Sequence, residues 1–123
     1  MAEEIYRVDV ITSMNRLSAL KSALSRLGVS GMTVMQVIGC GTEKGTHEYE
    51  VTENVEMELL PKQLIMIVVE KDQLDKVIDL VEKELYTGHI GDGKIFVTPV
   101  SRVIRVRTGE EGHDAMHRKE EAP

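Results

Sequence analysis

The residues best equipped for chemistry lie late in the chain, in the stretch Thr87–Val97, TGHIGDGKIFV. Gly91 and Gly93 can take positive φ and bring their backbone N–H groups close to a ligand. Successive N–H groups of this kind form a concavity that suits an anion. Lys94 adds a compact positive charge that suits phosphate. Further on, Arg105-Val106-Arg107 alternates cation, apolar, cation, and on a strand both guanidinium groups would share one face. Together these residues describe a phosphate-binding corner. Taken alone, G-x-G most often marks a turn and nothing more. Neither the G-x-x-x-x-G-K-[ST] loop nor the dinucleotide fingerprint G-x-G-x-x-G is present, so common nucleotide motifs do not supply the assignment.

The elements that must position this corner follow from periodicity. Ile5–Thr12 alternates as a strand, with Tyr6, Val8 and Val10 on one face. Leu17, Leu20, Leu24 and Leu27 form the apolar stripe of a helix, which Ser13 or Asn15 can cap and Gly28 can stop. Residues 31–38 and the unbroken apolar run Leu64–Val69 are two further strands. Asp72 is placed to cap a second helix that buries Leu74, Val77, Ile78, Val81 and Leu85 and ends at Gly88. Ile95–Val100 is a fourth strand, and Ser101–Arg107 is expected to continue as a short fifth strand or edge. The order βαββαβ predicts an α+β, ferredoxin-like sandwich with an antiparallel sheet and both helices on one face. A run such as Leu64–Val69 implies burial on both sheet faces, and self-association is the simplest cover for the second.

Between the second and third strands lies a long polar segment, residues 39–60, rich in glutamate. Loops beyond about 12–15 residues in a compact domain are usually functional or disordered. Glu48, Glu50, Glu53, Glu56 and Glu58 read first as a solvated face, and otherwise as a contact for a basic partner surface. From Gly109 the sequence is polar and reads as a loose tail. Histidines His47, His89, His113 and His117 are scattered. His113 and His117 stand four apart, but in a tail without a third ligand. Cys40 lies between two glycines, with no base nearby in sequence to activate it.

Composition sets outer limits. A chain of 123 residues, 41% hydrophobic and 29% charged, predicts one soluble domain. No apolar run is long enough to span a bilayer, and the N-terminus lacks the pattern of a signal peptide. The single cysteine fits a reducing cytoplasm. A net charge of −6 argues against nucleic-acid binding, which needs a basic face.

Several of these motifs together resemble the PII signal-transduction family. Thr87-x-x-x-Gly91-Asp92-Gly93-Lys94-Ile95-Phe96-Val97 is similar to that family's C-terminal signature. Gly31-Met32-Thr33-Val34, Gly39-x-Gly41-x-x-Lys44-Gly45, Leu60-Pro61-Lys62 and Val103–Gly109 fall in its order and spacing, over about residues 5–112. The resemblance implies a domain of residues 1–112 followed by a polar tail, 113–123, and a homotrimer with adenine nucleotides in the clefts between copies. By position, Gly31, Met32, Thr33 and the backbone near Val68 would hold the base. Gly39, Gly41, Thr42, Lys62, Gly91, Asp92, Gly93, Lys94, Arg105 and Arg107 would line the rest of the site. Residues 39–60 would be the loop that touches a regulated protein, such as a membrane transporter or a metabolic enzyme.

Two departures from the family pattern stand out. The glutamine that helps hold magnesium and 2-oxoglutarate is here Glu43. A carboxylate repels a dianion at close range, yet it is a better ligand than an amide for a hard cation. The expectation is therefore ATP with Mg²⁺ or Ca²⁺ through Glu43, without 2-oxoglutarate, while Lys62 keeps the oxo-acid lysine's position. The basic residue expected after Gly41 is Thr42. The tyrosine that some members have modified aligns with Val55, Tyr49 is poorly offset to replace it, and the loop has no serine. Control by ligand alone is expected. The function implied is a non-enzymatic sensor of energy state in which ATP and ADP compete. The alternatives are a slow ATP hydrolase and a nucleotide-independent trimeric metal-binding or scaffold protein.

Overall fold

The computed structural model describes residues 4–13, 16–29, 31–41, 58–88 and 92–117. The elements run β1 (Ile5–Thr12), α1 (Leu17–Leu27), β2 (Thr33–Gly41), β3 (Glu58–Glu70), α2 (Lys71–Leu85), β4 (Lys94–Val100) and a one-turn α3 (His113–Met116). The four strands form one antiparallel sheet in the order β2-β3-β1-β4. This is the expected βαββαβ, ferredoxin-like α+β sandwich.

The register explains which face is buried. Val8 stands opposite Ile67 on β3 and Val97 on β4, and Val10 opposite Ile65 and Ile95. These positions share a face, and Val8, Val10, Ile65, Ile67 and Val69 pack there with Leu20 and Leu24 of α1 and Val77, Val81 and Leu85 of α2. Both helices therefore cover the same side of the sheet. The core is aliphatic, and truncating a residue such as Leu20 to alanine removes about 2–5 kcal/mol of stability.

The opposite face carries a second set. Thr33, Met66, Asp9 and Phe96 lie in one cross-strand row, and Met35, Leu64, Ile11 and Lys94 in the next. Val68, Arg7 and Thr98 form a third row. Leu64, Met66 and Val68 are only half-buried, while Met35 is 45% and Phe96 49% exposed. In a single chain, β3 is thus buried on one face rather than on two.

Several local expectations are corrected. Arg16, whose side chain makes no capping bond, occupies the N-cap of α1 in place of Ser13; Asn15 lies outside the described residues. Glu70 is the N-cap of α2, so Asp72 sits inside the first turn, where its carboxylate faces the positive end of the helix dipole. That helix ends at Leu85 with extended Tyr86 as its C-cap, two residues before Gly88. Gly28 does stop α1 in the left-handed conformation, φ 99°, its N–H shared between the carbonyls of Leu24 and Ser25.

The β2–β3 ribbon is longer than the apolar runs indicate and reaches Gly41 and Glu58. The boundary residues 39–41 and 58–60 of the expected loop are therefore strand, and 42–57 lie outside the described residues. Pro61 sits inside β3 because β1 pairs only from Gln63 onward. Its missing N–H breaks no ladder bond toward β1.

Candidate functional site

The turn into β4 is organised by Asp92. Its carboxylate accepts hydrogen bonds from the backbone N–H of Thr87 (2.8 Å), the N–H of Gly88 (3.1 Å) and the Thr87 hydroxyl. Thr12 Oγ1 donates to the Asp92 carbonyl at 3.1 Å, which ties the turn to the end of β1. Asp92 thus closes its own loop. Gly93 follows with φ 110°, and a Cβ built there would stand 2.3 Å from the Ile11 carbonyl oxygen. Only glycine lets the backbone pass β1 this closely. Lys94 emerges exposed at the start of β4, on the open sheet face opposite Ile11.

A second pair lies on the β2–β3 ribbon. The half-buried stem of Lys62 runs over Gly39, where an added Cβ would approach Lys62 Cδ to 2.9 Å. Gly39 therefore makes room for the lysine on the open face. Gly41 pairs with Glu58 at the ribbon's end. At the other end of β2, Gly31 and Met32 lead into the strand, and exposed Thr33 stands opposite Met66. Thr33, Lys62, Val68 and Lys94 consequently share the open face. Thr42, Glu43 and Gly91 lie outside the described residues.

Arg105 and Arg107 do not lie on a strand. Residues 106–108 form a turn in which the Gly109 N–H donates to the Arg105 carbonyl at 2.7 Å, and the Arg105 N–H to that of Glu110 at 2.8 Å. The only pairing in this region among the described residues is an isolated bridge between Ile104 and Glu111. Val106 is 99% exposed, so the alternation that reads as a strand in sequence has no sheet to pack on. The same-face argument for the two arginines is overturned.

Arg105 is instead drawn toward the chain's end. Its guanidinium faces Glu110 at 3.4 Å and donates to the carbonyls of Ala115 (3.1 Å) and His117 (2.7 Å). The tail expected to be loose after Gly109 instead carries α3 at His113–Met116, with the Gly112 N–H bonded to the Val103 carbonyl at 3.0 Å. His113 Nδ1 meets Glu70 Oε2 at 2.9 Å, and His117 Nε2 meets the other carboxylate oxygen. Burial alone would raise the Glu70 pKa, but the two imidazoles together outweigh it and hold the carboxyl below its ordinary range. Glu70 is the third partner that the i, i+4 histidines lack in sequence, and its distance along the chain hides it from any spacing argument. A cavity of about 270 Å³ beside it is lined by Val68, Glu70, Met116 and His117 together with Gly28 and Val29 of the α1 terminus.

The single chain therefore splits the expected phosphate corner. Gly93 and Lys94 stand at one end of β4. Arg105, through His117 and Glu70, belongs at the other, where Val100 and Glu70 both stand opposite Ile5. The six residue steps of β4 separate the two ends by about 20 Å.

The family model for nitrogen regulatory protein P-II matches residues 5–110. The chain belongs to the P-II family. Its curated P-II relatives include the nitrogen regulatory protein GlnK of Escherichia coli K12, 46% identical over 109 residues that span 89% of this chain and 97% of that protein. The nitrogen regulatory protein P-II of Azospirillum brasilense is 41% identical over 111 residues, 89% of this chain and 98% of its own length. Among solved structures, a Bacillus subtilis GlnK–ATP complex superposes with a TM-score of 0.79 at 36% identity, covering 94% of this chain and 98% of that one. Arabidopsis thaliana PII bound to citrate gives 0.74 at 38% identity, covering 96% and 94%. As a P-II protein the chain is a regulator rather than an enzyme. No helix among the described residues is long and apolar enough to cross a membrane.

Proposed function

We propose that this P-II protein is an energy-state regulator that works as a homotrimer. ATP and ADP compete for clefts between copies, and a divalent cation, Mg²⁺ or Ca²⁺, joins ATP through Glu43. The segment between β2 and β3 carries the state of the cleft to a partner protein, such as a membrane transporter or a metabolic enzyme. The γ-phosphate and its cation supply the differential interaction that shifts this segment. Glu43 in place of an amide disfavours 2-oxoglutarate, a dianion, at the same position.

The observation that carries this reading is the separation of Lys94 from Arg105. One chain cannot bring both to a single polyphosphate, whereas the open, partly apolar face between them invites a second copy. A closed ring makes each junction alike, with the Lys94 end of one chain beside the Arg105 end of the next. The solved ATP complex of B. subtilis GlnK supports adenine nucleotide as the ligand. Each charge-assisted bond to phosphate contributes about 1.5–3 kcal/mol, so losing either cation weakens binding roughly 10–100-fold.

The test is complementation. Lys94→Ala and Arg105→Ala chains are prepared separately, then unfolded and refolded together. If each cleft draws on two chains, neither variant alone binds ATP well, and the mixture regains tight binding in about a quarter of its clefts. No recovery in a mixture that assembles normally refutes the shared cleft. A protein that is monomeric and indifferent to ATP and ADP refutes the proposal as a whole. Calorimetry in Mg-ATP with added 2-oxoglutarate should give no heat of binding, and a saturable signal would remove the role given to Glu43.

A further inference from the structure

We propose that Glu70, His113 and His117 form a binding site for a borderline divalent cation of the zinc type, with donors that are none of the residues expected to hold the nucleotide. The three donor atoms lie within 4.8 Å of one another. They come from two places. Glu70 closes β3 and caps α2, and the histidines project from the single turn of α3. The i, i+4 spacing puts the two imidazoles on one face of that turn. Their ring centroids are 4.0 Å apart with planes 38° from parallel, and both rings aim a nitrogen at the same carboxylate.

The site is held by bonds that do not involve the donors' side chains. The Ile104–Glu111 bridge, the Gly112–Val103 hydrogen bond and the grip of Arg105 on the carbonyls of Ala115 and His117 fix α3 against the end of β3. A ligand set that is already positioned loses little freedom on binding a metal. Nitrogens and an oxygen coordinate zinc at about 2.0–2.2 Å. The cluster needs only a small opening to exchange its two N···O contacts for bonds to one central ion. Two imidazoles and a carboxylate suit zinc, cobalt, nickel or copper, and not magnesium or calcium, which take oxygen ligands. Both histidines are more than half exposed, so water can fill the remaining coordination position and the ion reaches the site from solvent. Bound metal would pin α3 to the junction of β3 and α2 beside the cavity that Val68 lines.

The proposal is tested on the full chain, stripped of metal and free of nucleotide, by titrating ZnCl₂ at pH 7.5 against a chromophoric chelator. One zinc per chain is expected. Even groups one shell away from a metal change affinity by about 10–100-fold, so removing a direct ligand should cost at least tenfold. Glu70→Gln and the double variant His113→Ala/His117→Ala should each show that loss, with circular dichroism confirming an intact fold. Mg²⁺ should not compete. Zinc binding that survives in the double variant, absence of binding in the wild type, or equal occupancy by Mg²⁺ would each overturn the assignment. ATP binding is measured separately in zinc-free buffer, so failure of the metal site and failure of the nucleotide reading are told apart.

Discussion

Replacing Gly93 by alanine sets a methyl carbon 2.3 Å from the carbonyl oxygen of Ile11 and 3.1 Å from Thr12 Cβ. The first contact is with backbone, so no side-chain rotation relieves it. The residue also holds φ at 110°, beyond the left-handed region that L-residues visit. Such a conformation costs about 1–3 kcal/mol. Relief of the clash must move the start of β4 away from β1 and stretch the Thr12–Asp92 hydrogen bond, itself worth about 1 kcal/mol. Gly93→Ala should therefore destabilise the protein by about 3 kcal/mol. Two controls separate the causes. Gly109 has φ 75° and open space around its Cβ position, so alanine there should cost only about 1–2 kcal/mol. Gly31 has neither positive φ nor a neighbour within 4 Å, and alanine should be neutral or slightly stabilising. Urea unfolding measures all three at one fixed protein concentration, because the stability of an assembly depends on concentration. If Gly93→Ala proves no worse than Gly109→Ala, the close approach to β1 is not what glycine serves there.

Three further outcomes follow from the structure. The depressed pKa of Glu70 means that its contribution is complete above the ordinary carboxylate range and is lost as pH falls through the lowered value; Glu70→Gln should accordingly flatten part of the acid limb of a stability–pH curve. Leu24→Ala, fully within the core, should lower unfolding free energy by about 2–5 kcal/mol in the same urea assay. Arg105→Lys keeps the charge but cannot reach Glu110 and two carbonyls with one planar fork, so amide exchange in residues 113–117 should speed up while that in β1 stays unchanged.

The parts of this fold that periodicity reveals are those that bury one face against a partner. Leu20 and Leu24, or Val77, Val81 and Leu85, repeat at helical steps because a single sheet face receives them. The alternation of Val8 and Val10 is visible for the same reason, whereas that of Ile65 and Ile67 is hidden by the apolar Leu64, Met66 and Val68 on the open face. The Arg105-Val106-Arg107 pattern misleads because alternation carries meaning only when a sheet lies beneath it, and Val106 faces solvent. Capping by Ser13 and Asp72 fails by a few residues, since helix starts depend on where neighbouring strands release the chain. At the site, Gly93 and Lys94 are legible because their demands are local. The histidine pair remains incomplete in sequence because its carboxylate partner belongs to a different element, and only the tertiary fold brings it near.

Arg105 already has three acceptors in hand, two of them the main-chain oxygens of Ala115 and His117. An anion that takes over the Nη2 donors of this guanidinium has to displace the carbonyls of Ala115 and His117, which are internal rivals for the same donors. By thermodynamic reciprocity, whatever tightens those contacts weakens the anion's hold, and by the same factor. Residues 115–117 and any anion that uses those two donors are thereby coupled, each reporting on the other's grip.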